Sequence, residues 1–336
     1  MHRWLIGIWY EGAGGGAWLR PLAALFGAAV RLRRAAYRRG WLRVLRVGRP
    51  VIVVGNLSVG GTGKTPLVIE LARLLAERGV KPGIVSRGYG GRARAPLLVD
   101  DACGPEVAGD EAWLMRRRTG CAVAVGRDRV AAARLLVDAG ASVIVSDDGL
   151  QHHALARDAE IVVIDATRGL GNGRLLPAGP LRELPARLEE VDAVVLNGGP
   201  RPEWPRAIPM RLVPGEAVAL GGEGPARRLA TLAGQRVHAV AGIGNPARFF
   251  AMLRDHGLVV EEHPFPDHHV FAARELEFGD AYPVLMTEKD AVKCVSFRNP
   301  RLWYVPVRGE LAAEDAQRLL GCLLSRIGPE GSWTRA

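Results

Sequence analysis

Residues 51–75 read V-I-V-V-G-N-L-S-V-G-G-T-G-K-T-P-L-V-I-E-L-A-R-L-L, and the order of their parts decides the fold. The β-branched run at 51–54 predicts a buried parallel strand, and Leu67, Ile69, Leu71, Leu74 and Leu75 put apolar side chains around a following helix. Between them Gly60-Gly61-Thr62-Gly63-Lys64-Thr65 fits most of the phosphate-loop pattern G-x4-G-K-[ST]. In such a loop backbone N–H groups close around a polyphosphate, Lys64 reaches the β- and γ-phosphates, and the Thr65 hydroxyl can ligate Mg2+. Ser58, Val59, Gly60, Gly61, Thr62, Gly63, Lys64 and Thr65 are therefore the nucleotide-binding candidates. Pro66 starts the helix where its missing N–H would have had no intrahelical partner. The first glycine of the pattern falls on Ser58, which the turn tolerates if φ stays negative there, and Gly60 adds slack.

The 336 residues suit one large or two medium domains, and 48% apolar content is globular rather than disordered. Nearly all of the net charge of +10 lies at the start: residues 1–50 hold ten arginines against one acid, Glu11. Of 45 basic residues only Lys64, Lys81, Lys289 and Lys293 are lysine, so arginine richness by itself says little about function and the lysines stand out. Cys103, Cys121, Cys294 and Cys322 have no C-x-x-C spacing, which suggests neither a zinc site nor a disulfide framework and fits a reducing cytosolic setting.

Trp4, Leu5, Ile8, Trp9, Tyr10, Trp18, Leu19, Leu22, Leu25 and Phe26 precede an arginine cluster at 31–39. The stretch lacks an uncharged run long enough to span a bilayer, and it lacks the n-region and cleavage site of a secretory signal. Tryptophans beside arginines fit a monotopic interfacial anchor, each basic residue near an anionic surface contributing roughly 1 kcal/mol. An amphipathic helix packed on its own domain and an arginine-based nucleic-acid contact are the competing readings.

From 48 to about 200 strands and helices alternate: strands at 81–86, 121–125, 142–146, 161–164 and 193–196, and a helix at 127–138. That order predicts an α/β, doubly wound, mostly parallel sheet with its ligand at the carboxyl ends of the strands. The strand at 142–146 runs into Asp147-Asp148-Gly149-Leu150-Gln151-His152-His153, and an acid at such a strand end is the usual Mg2+ partner of a phosphate loop. Gly109-Asp110-Glu111 opens a helix, where Asp110 reads by itself as a cap and Glu111 as a complement to the dipole. Pro- and Gly-rich residues 198–228 break the alternation, and a second, smaller unit follows, with strands at 236–241, 258–262 and 284–286. Asp267-His268-His269 after a strand fits a metal half-site, an acid/base pair or a plain loop equally well.

Taken together, S-V-G-G-T-G-K-T-P, S-R-G-Y-G-G, G-D-E, D-D-G-L-Q-H, G-I-G-N-P, F-P-D-H-H and T-E-K-D-A-V-K resemble the tetraacyldisaccharide 4′-kinases, the lipid A 4′-kinases of Gram-negative bacteria, over essentially residues 1–325. No single motif decides this, but the ordered set is highly specific, and a serine at position 58 is normal for that family. The resemblance implies a membrane-associated P-loop kinase on the cytoplasmic face of the bacterial inner membrane. Using ATP and Mg2+, it would phosphorylate the 4′-hydroxyl of a tetraacylated glucosamine disaccharide 1-phosphate in the bilayer, giving lipid IVA. The implied architecture is an N-terminal helical segment meeting the membrane (1–47), a nucleotide-binding domain (48–205), a hinge (206–230) and a smaller α/β domain (231–330). The family's catalytic Asp-His pair falls on Asp110 and His268, and its acidic metal positions fall on Glu111, Asp147 and Asp148, beside Thr65. This replaces the capping reading of Asp110. Lys64 would spread the γ-phosphate charge, and an arginine of the turn at 87–89, or Arg127 or Arg129, would hold the 1-phosphate or the transferring group.

A regulatory P-loop GTPase would need an N-K-x-D element after a strand, of which the segment 194–199 supplies only Asn197, while Thr287-Glu288-Lys289-Asp290 lies in the second unit. A nucleic-acid-dependent ATPase would explain the basic arm, but the arm's tryptophans fit lipid better, and no nucleic-acid partner is expected.

Overall fold

The computed structural model describes residues 3–12, 16–100, 102–222 and 224–328, so residues 1, 2 and 13–15 of the expected N-terminal segment and 329–330 of the expected C-terminal unit lie outside them. Helices α1 (Arg3–Tyr10) and α2 (Arg20–Arg38) lead into β1 (Val51–Gly55) and α3 (Lys64–Ala76). There follow β2 (Pro82–Ser86), β3 (Leu97–Val99), α4 (Pro105–Ala108), α5 (Asp110–Thr119), β4 (Ala122–Val125), α6 (Arg129–Asp138), β5 (Val143–Asp147), β6 (Ala159–Asp165), β7 (Ala193–Asn197) and β8 (Ile208–Pro214). These strands form a sheet ordered β8-β7-β6-β1-β5-β2-β4-β3, parallel except for the short β3 at its edge.

The reading of 51–75 holds because each strand residue is committed to one of two apolar layers. Ile52 and Val54 pack with Leu67, Leu71 and Leu75 of α3, while Val51 and Val53 face Leu136 of α6 and Leu150. All are essentially inaccessible to solvent, and burial of each such side chain contributes roughly 1.5–3 kcal/mol. Between β5 and β6 the central β1 presents its carboxyl end, and with it the phosphate loop, to the crevice where β2 and β5 also end.

A second sheet is built from β9 (Val218–Ala219), β10 (Arg236–Ala241), β11 (Val259–Pro264), β12 (Val284–Thr287) and β13 (Leu302–Val305), in the order β11-β10-β12-β13-β9. It carries α7 (Pro246–Asp255) and α8 (Glu288–Ala291). The expected boundaries need correction at both ends of this unit. Residues 208–214, expected within the 206–230 connection, form β8 of the larger sheet. Ile208 and Met210 are buried there, and Pro209 sits where β14 has no registered partner, so its missing N–H breaks no ladder on that side. After β13 the chain crosses back, so β14 (Val307–Leu311) pairs antiparallel with β8 and α9 (Ala313–Ile327) buries Leu319, Leu320 and Leu323 in the core of the larger domain. The two domains are thus joined by two crossings, at 215–217 and at Pro306, which meet where Gly215 N–H donates to the Pro306 carbonyl at 2.8 Å.

The N-terminal helices satisfy the packing reading on one face and leave the other uncovered. Trp9 is buried and donates from Nε1 to the Pro177 carbonyl at 2.9 Å, and Leu19 and Ala23 join the core beneath β1. Trp18, Leu22, Leu25 and Leu32 point to solvent, and Trp4 stacks on Trp18 at 6.1 Å. Among the described residues no helix is long and apolar enough to cross a membrane.

Candidate active site

Ser58 keeps a negative φ, as a serine in that place requires, while Gly60 and Gly63 take φ of 103° and 94°. A Cβ on Gly63 would lie 2.3 Å from Asn197 Nδ2, so both conformation and space demand glycine. Asn197, at the end of β7, donates to the Thr62 carbonyl at 2.9 Å and accepts from Arg248 of α7 at 2.9 Å. It buttresses the loop and ties it to the smaller domain, so both ends of its amide are engaged and it does not serve as a base-reading asparagine. Ser58 and Val59 form the loop's anchored end: Ser58 bridges to Leu181, and the Val59 N–H donates to the Pro180 carbonyl at 2.9 Å. The Thr62 hydroxyl is buried without a partner, and Thr65 lies in the first turn of α3.

Lys64 is held back along β1. Its Nζ lies 3.1 Å from Asn56 Oδ1 and 3.6 Å from Asp148. Arg182 completes this cluster, reaching both Asp148 oxygens at 2.9 and 3.1 Å and the Asn56 side chain. Burial would raise the Asp148 pKa, but Lys64 and Arg182 outweigh it and hold the carboxyl far below its usual range. Asn56 and Arg182 were missed in sequence; the position of Asn56 directly after the strand was the one available signal, whereas Arg182 comes from an irregular segment.

Asp147 is the opposite case. Ser86 Oγ donates to its Oδ2 at 3.2 Å, while Oδ1 is buried with no partner. Burial, then Glu111 and Asp148, push its pKa up to about 7. Arg129 does not face the crevice as expected: it is buried beneath this strand end, donating to the carbonyls of Val85 and Asp147 and to Ser146 Oγ. It is therefore a prop for the Asp147 backbone rather than a substrate ligand.

The metal-free folded chain retains the Asp147 proton between the ordinary carboxyl pKa of 3.8 and about 7, where the unfolded chain has lost it. This group's contribution to stability therefore falls as pH rises through that window. Asp147→Asn removes the loss, so in EDTA above pH 7 the variant is expected to be more stable by about 1–3 kcal/mol. Chemical denaturation at pH 5 and pH 8 checks this; a variant less stable at pH 8 contradicts it.

Asp110 is not the cap of α5. Gly109 occupies that place at φ 87°, where a Cβ would meet the Tyr89 carbonyl at 2.5 Å. Asp110 sits in the first turn, its Oδ1 accepting from the Glu111 N–H and its Oδ2 lying 3.1 Å from His268 Nδ1. Lys289 Nζ lies 3.3 Å from His268 Nε2. Because a carboxylate only accepts and an ammonium only donates, the imidazole that satisfies both carries its proton on Nδ1. Burial pulls the Asp110 pKa upward, but the His268 hydrogen bond and the charges of Lys289 and Lys293 carry it below the usual range.

Lys289 also binds Glu111 at 2.8 Å, and Glu288 pairs with Arg118 at 2.6 Å. The segment 287–293 thus clamps the smaller domain onto α5 and reads no base. His269 faces away from Asp110, its Nε2 3.0 Å from Glu275. Across the same interface the turn 242–246 lies on the phosphate loop, where a Cβ on Gly244 would come within 2.4 Å of Gly61 N. Lys64, Asp147, Asp148, Glu111, Asp110 and His268 therefore belong to one crevice between the domains, with Tyr89 on its wall 4.5 Å from the His268 ring.

Residues 16–326 match the family model for tetraacyldisaccharide-1-P 4′-kinase. A tetraacyldisaccharide 4′-kinase of Alkalilimnicola ehrlichii is 54% identical over 90% of each chain, and one of Methylobacillus flagellatus is 50% identical over 96% of each. A crystal structure of LpxK from Aquifex aeolicus in complex with ATP superposes with a TM-score of 0.75 at 29% identity, covering 93% of this chain and 99% of that one. The chain belongs to the tetraacyldisaccharide-1-phosphate 4′-kinase family, the ATP-dependent lipid kinases of lipid A biosynthesis.

Proposed function

We propose that Asp110, oriented by His268, accepts the proton of the lipid's 4′-hydroxyl as that oxygen attacks the γ-phosphate of ATP held by residues 60–65. The observation that carries this reading is the Asp110–His268 hydrogen bond, made between domains by residues far apart in sequence. The hydroxyl oxygen forms the new P–O bond, the bond to the β-phosphate oxygen breaks, and the proton passes to the carboxylate. Held ionised by its neighbours, Asp110 is ready to accept at neutral pH. Lys64 leaves Asn56 and Asp148 to meet the γ-phosphate, and Arg182 remains to fix Asp148.

The orphaned Asp147 Oδ1 and the acids around it fit a hard divalent cation. Asp147 and Asp148, with Thr65 and Glu111 nearby, would hold Mg2+. Bound there, the ion would supply charge neutralisation to the phosphates.

The uncovered face of α1 and α2 would lie in the headgroup region on the cytoplasmic side of the inner membrane, with Trp18, Leu22, Leu25 and Leu32 inserted and the arginines of 31–39 against anionic lipid. A substrate with four acyl chains remains in the bilayer, so a peripheral enzyme must carry its site there. The test is transfer of labelled γ-phosphate from ATP to the tetraacyl disaccharide 1-phosphate in anionic vesicles, by the full chain and by a chain lacking residues 1–40. The full chain is expected to form 4′-phosphorylated product; the shortened chain should sediment less with vesicles and show a higher apparent KM for the lipid. A folded, ATP-binding full chain that forms no product would overturn the reading, and unchanged sedimentation would overturn the anchor.

A further inference from the structure

His238 on β10 is registered directly against Glu261 on β11, and His263 follows Glu261 by two residues, on the same face of that strand. The His238 Nδ1 and His263 Nε2 atoms are 3.0 Å apart, and Glu261 lies 3.7 Å from the first and 3.8 Å from the second. Two ligands each about 2.05 Å from a tetrahedral zinc ion are roughly 3.3 Å apart, so the two ring nitrogens, with one Glu261 oxygen near each, lie close to the spacing of a shared coordination sphere. Among the described residues this is the one group of three His, Cys, Asp or Glu side chains whose ligand atoms all lie within 4.8 Å of one another.

Asp280 accepts from His238 Nε2 at 3.0 and 3.1 Å, and its own position is set by the Tyr282 N–H. An ionised carboxylate accepts only, so Nε2 carries the proton and Nδ1 offers its lone pair toward His263 and Glu261. A carboxylate on the far nitrogen of a histidine is the usual support of a metal-ligating imidazole. Phe278 stacks on both rings, 3.9 Å from His238 and 4.3 Å from His263, which fixes their planes. His238 is buried, His263 half-buried and Glu261 exposed, so an ion can enter from solvent.

We propose that His238, Glu261 and His263 form a binding site for one divalent transition-metal ion of the zinc class, with Asp280 holding His238 in the ligating tautomer. Two imidazoles and one carboxylate suit zinc and its neighbours rather than Mg2+ or Ca2+. The site is separate from the kinase crevice. It clips together the two strands whose carboxyl ends lead into the turn 242–246 and the loop bearing His268, so a bound ion would brace the half of the crevice contributed by the smaller domain.

The probe is Co2+, added to the untagged full chain in excess Mg2+, which occupies carboxylate-rich sites. One Co2+ per chain is expected, with visible d–d absorption of a nitrogen-containing low-coordinate sphere, displaced by Zn2+. The double variant Glu261→Gln/His263→Gln, at one exposed and one half-buried position, should abolish the absorption while the melting curve of the metal-free protein stays cooperative. Asp280→Asn should weaken Co2+ roughly 10- to 100-fold. A wild-type chain showing no visible absorption, or a double variant binding Co2+ as the wild type does, would overturn the site. Unchanged affinity in Asp280→Asn would overturn the tautomer argument.

Discussion

Asp110→Asn is expected to lower kcat by roughly 10²- to 10⁴-fold, the range for loss of a positioned proton acceptor, with little change in KM for ATP. The substitution keeps size and the acceptor oxygen for the Glu111 N–H, so α5 should start as before. What disappears is the negative charge proposed to accept the 4′-hydroxyl proton, which Lys289 and Lys293 face at the domain interface. The split between kcat and KM is the informative readout: in the proposed mechanism the phosphate loop holds the nucleotide, while Asp110 acts on the lipid hydroxyl. A parallel rise in KM for ATP with kcat preserved would place Asp110 in nucleotide binding instead.

Lys64→Ala is expected to cost roughly 10²- to 10³-fold in kcat, as for removal of one donor aimed at charge that develops in the transition state. Lys64 is the one lysine of the loop, and Asn56 and Asp148 hold it beside the loop rather than in open solvent. Its loss leaves Asp148 paired with Arg182, so the fold should tolerate the change. Steady-state transfer with melting as control measures this; a loss smaller than tenfold would contradict the assignment.

The central layer of the fold was legible because local and global signals agree there. Residues 51–75 are β-branched, then glycine-rich, then apolar at helical spacing, and each of these preferences is local. The ends of the sheet were not legible: β8 and β14 lie in Pro- and Gly-containing stretches, and their pairing depends on a chain return nearly a hundred residues later. The site divides in the same way. Lys64 and Asp147 announce themselves by following or ending a strand. The Asp110–His268 pair bridges 158 positions, so residue patterns left Asp110 a helix cap, and only the family resemblance paired it with His268. Asn197 and Arg182 act through contacts across the fold that no spacing encodes. The His238, Glu261 and His263 cluster hides in two ordinary strands, where the two-residue step from Glu261 to His263 was the one visible sign.

In the proposed mechanism Asp110 and His268 work as one unit where the domains meet. A double-mutant cycle tests it: kcat for wild type, Asp110→Asn, His268→Gln and the double variant, with labelled ATP and the tetraacyl disaccharide 1-phosphate. If His268 acts by orienting Asp110, its substitution slows the wild type but costs almost nothing once Asp110 is gone, so the double variant matches Asp110→Asn. Losses that multiply, or a His268→Gln defect larger than that of Asp110→Asn, would show that the two act independently and that the proton is taken elsewhere.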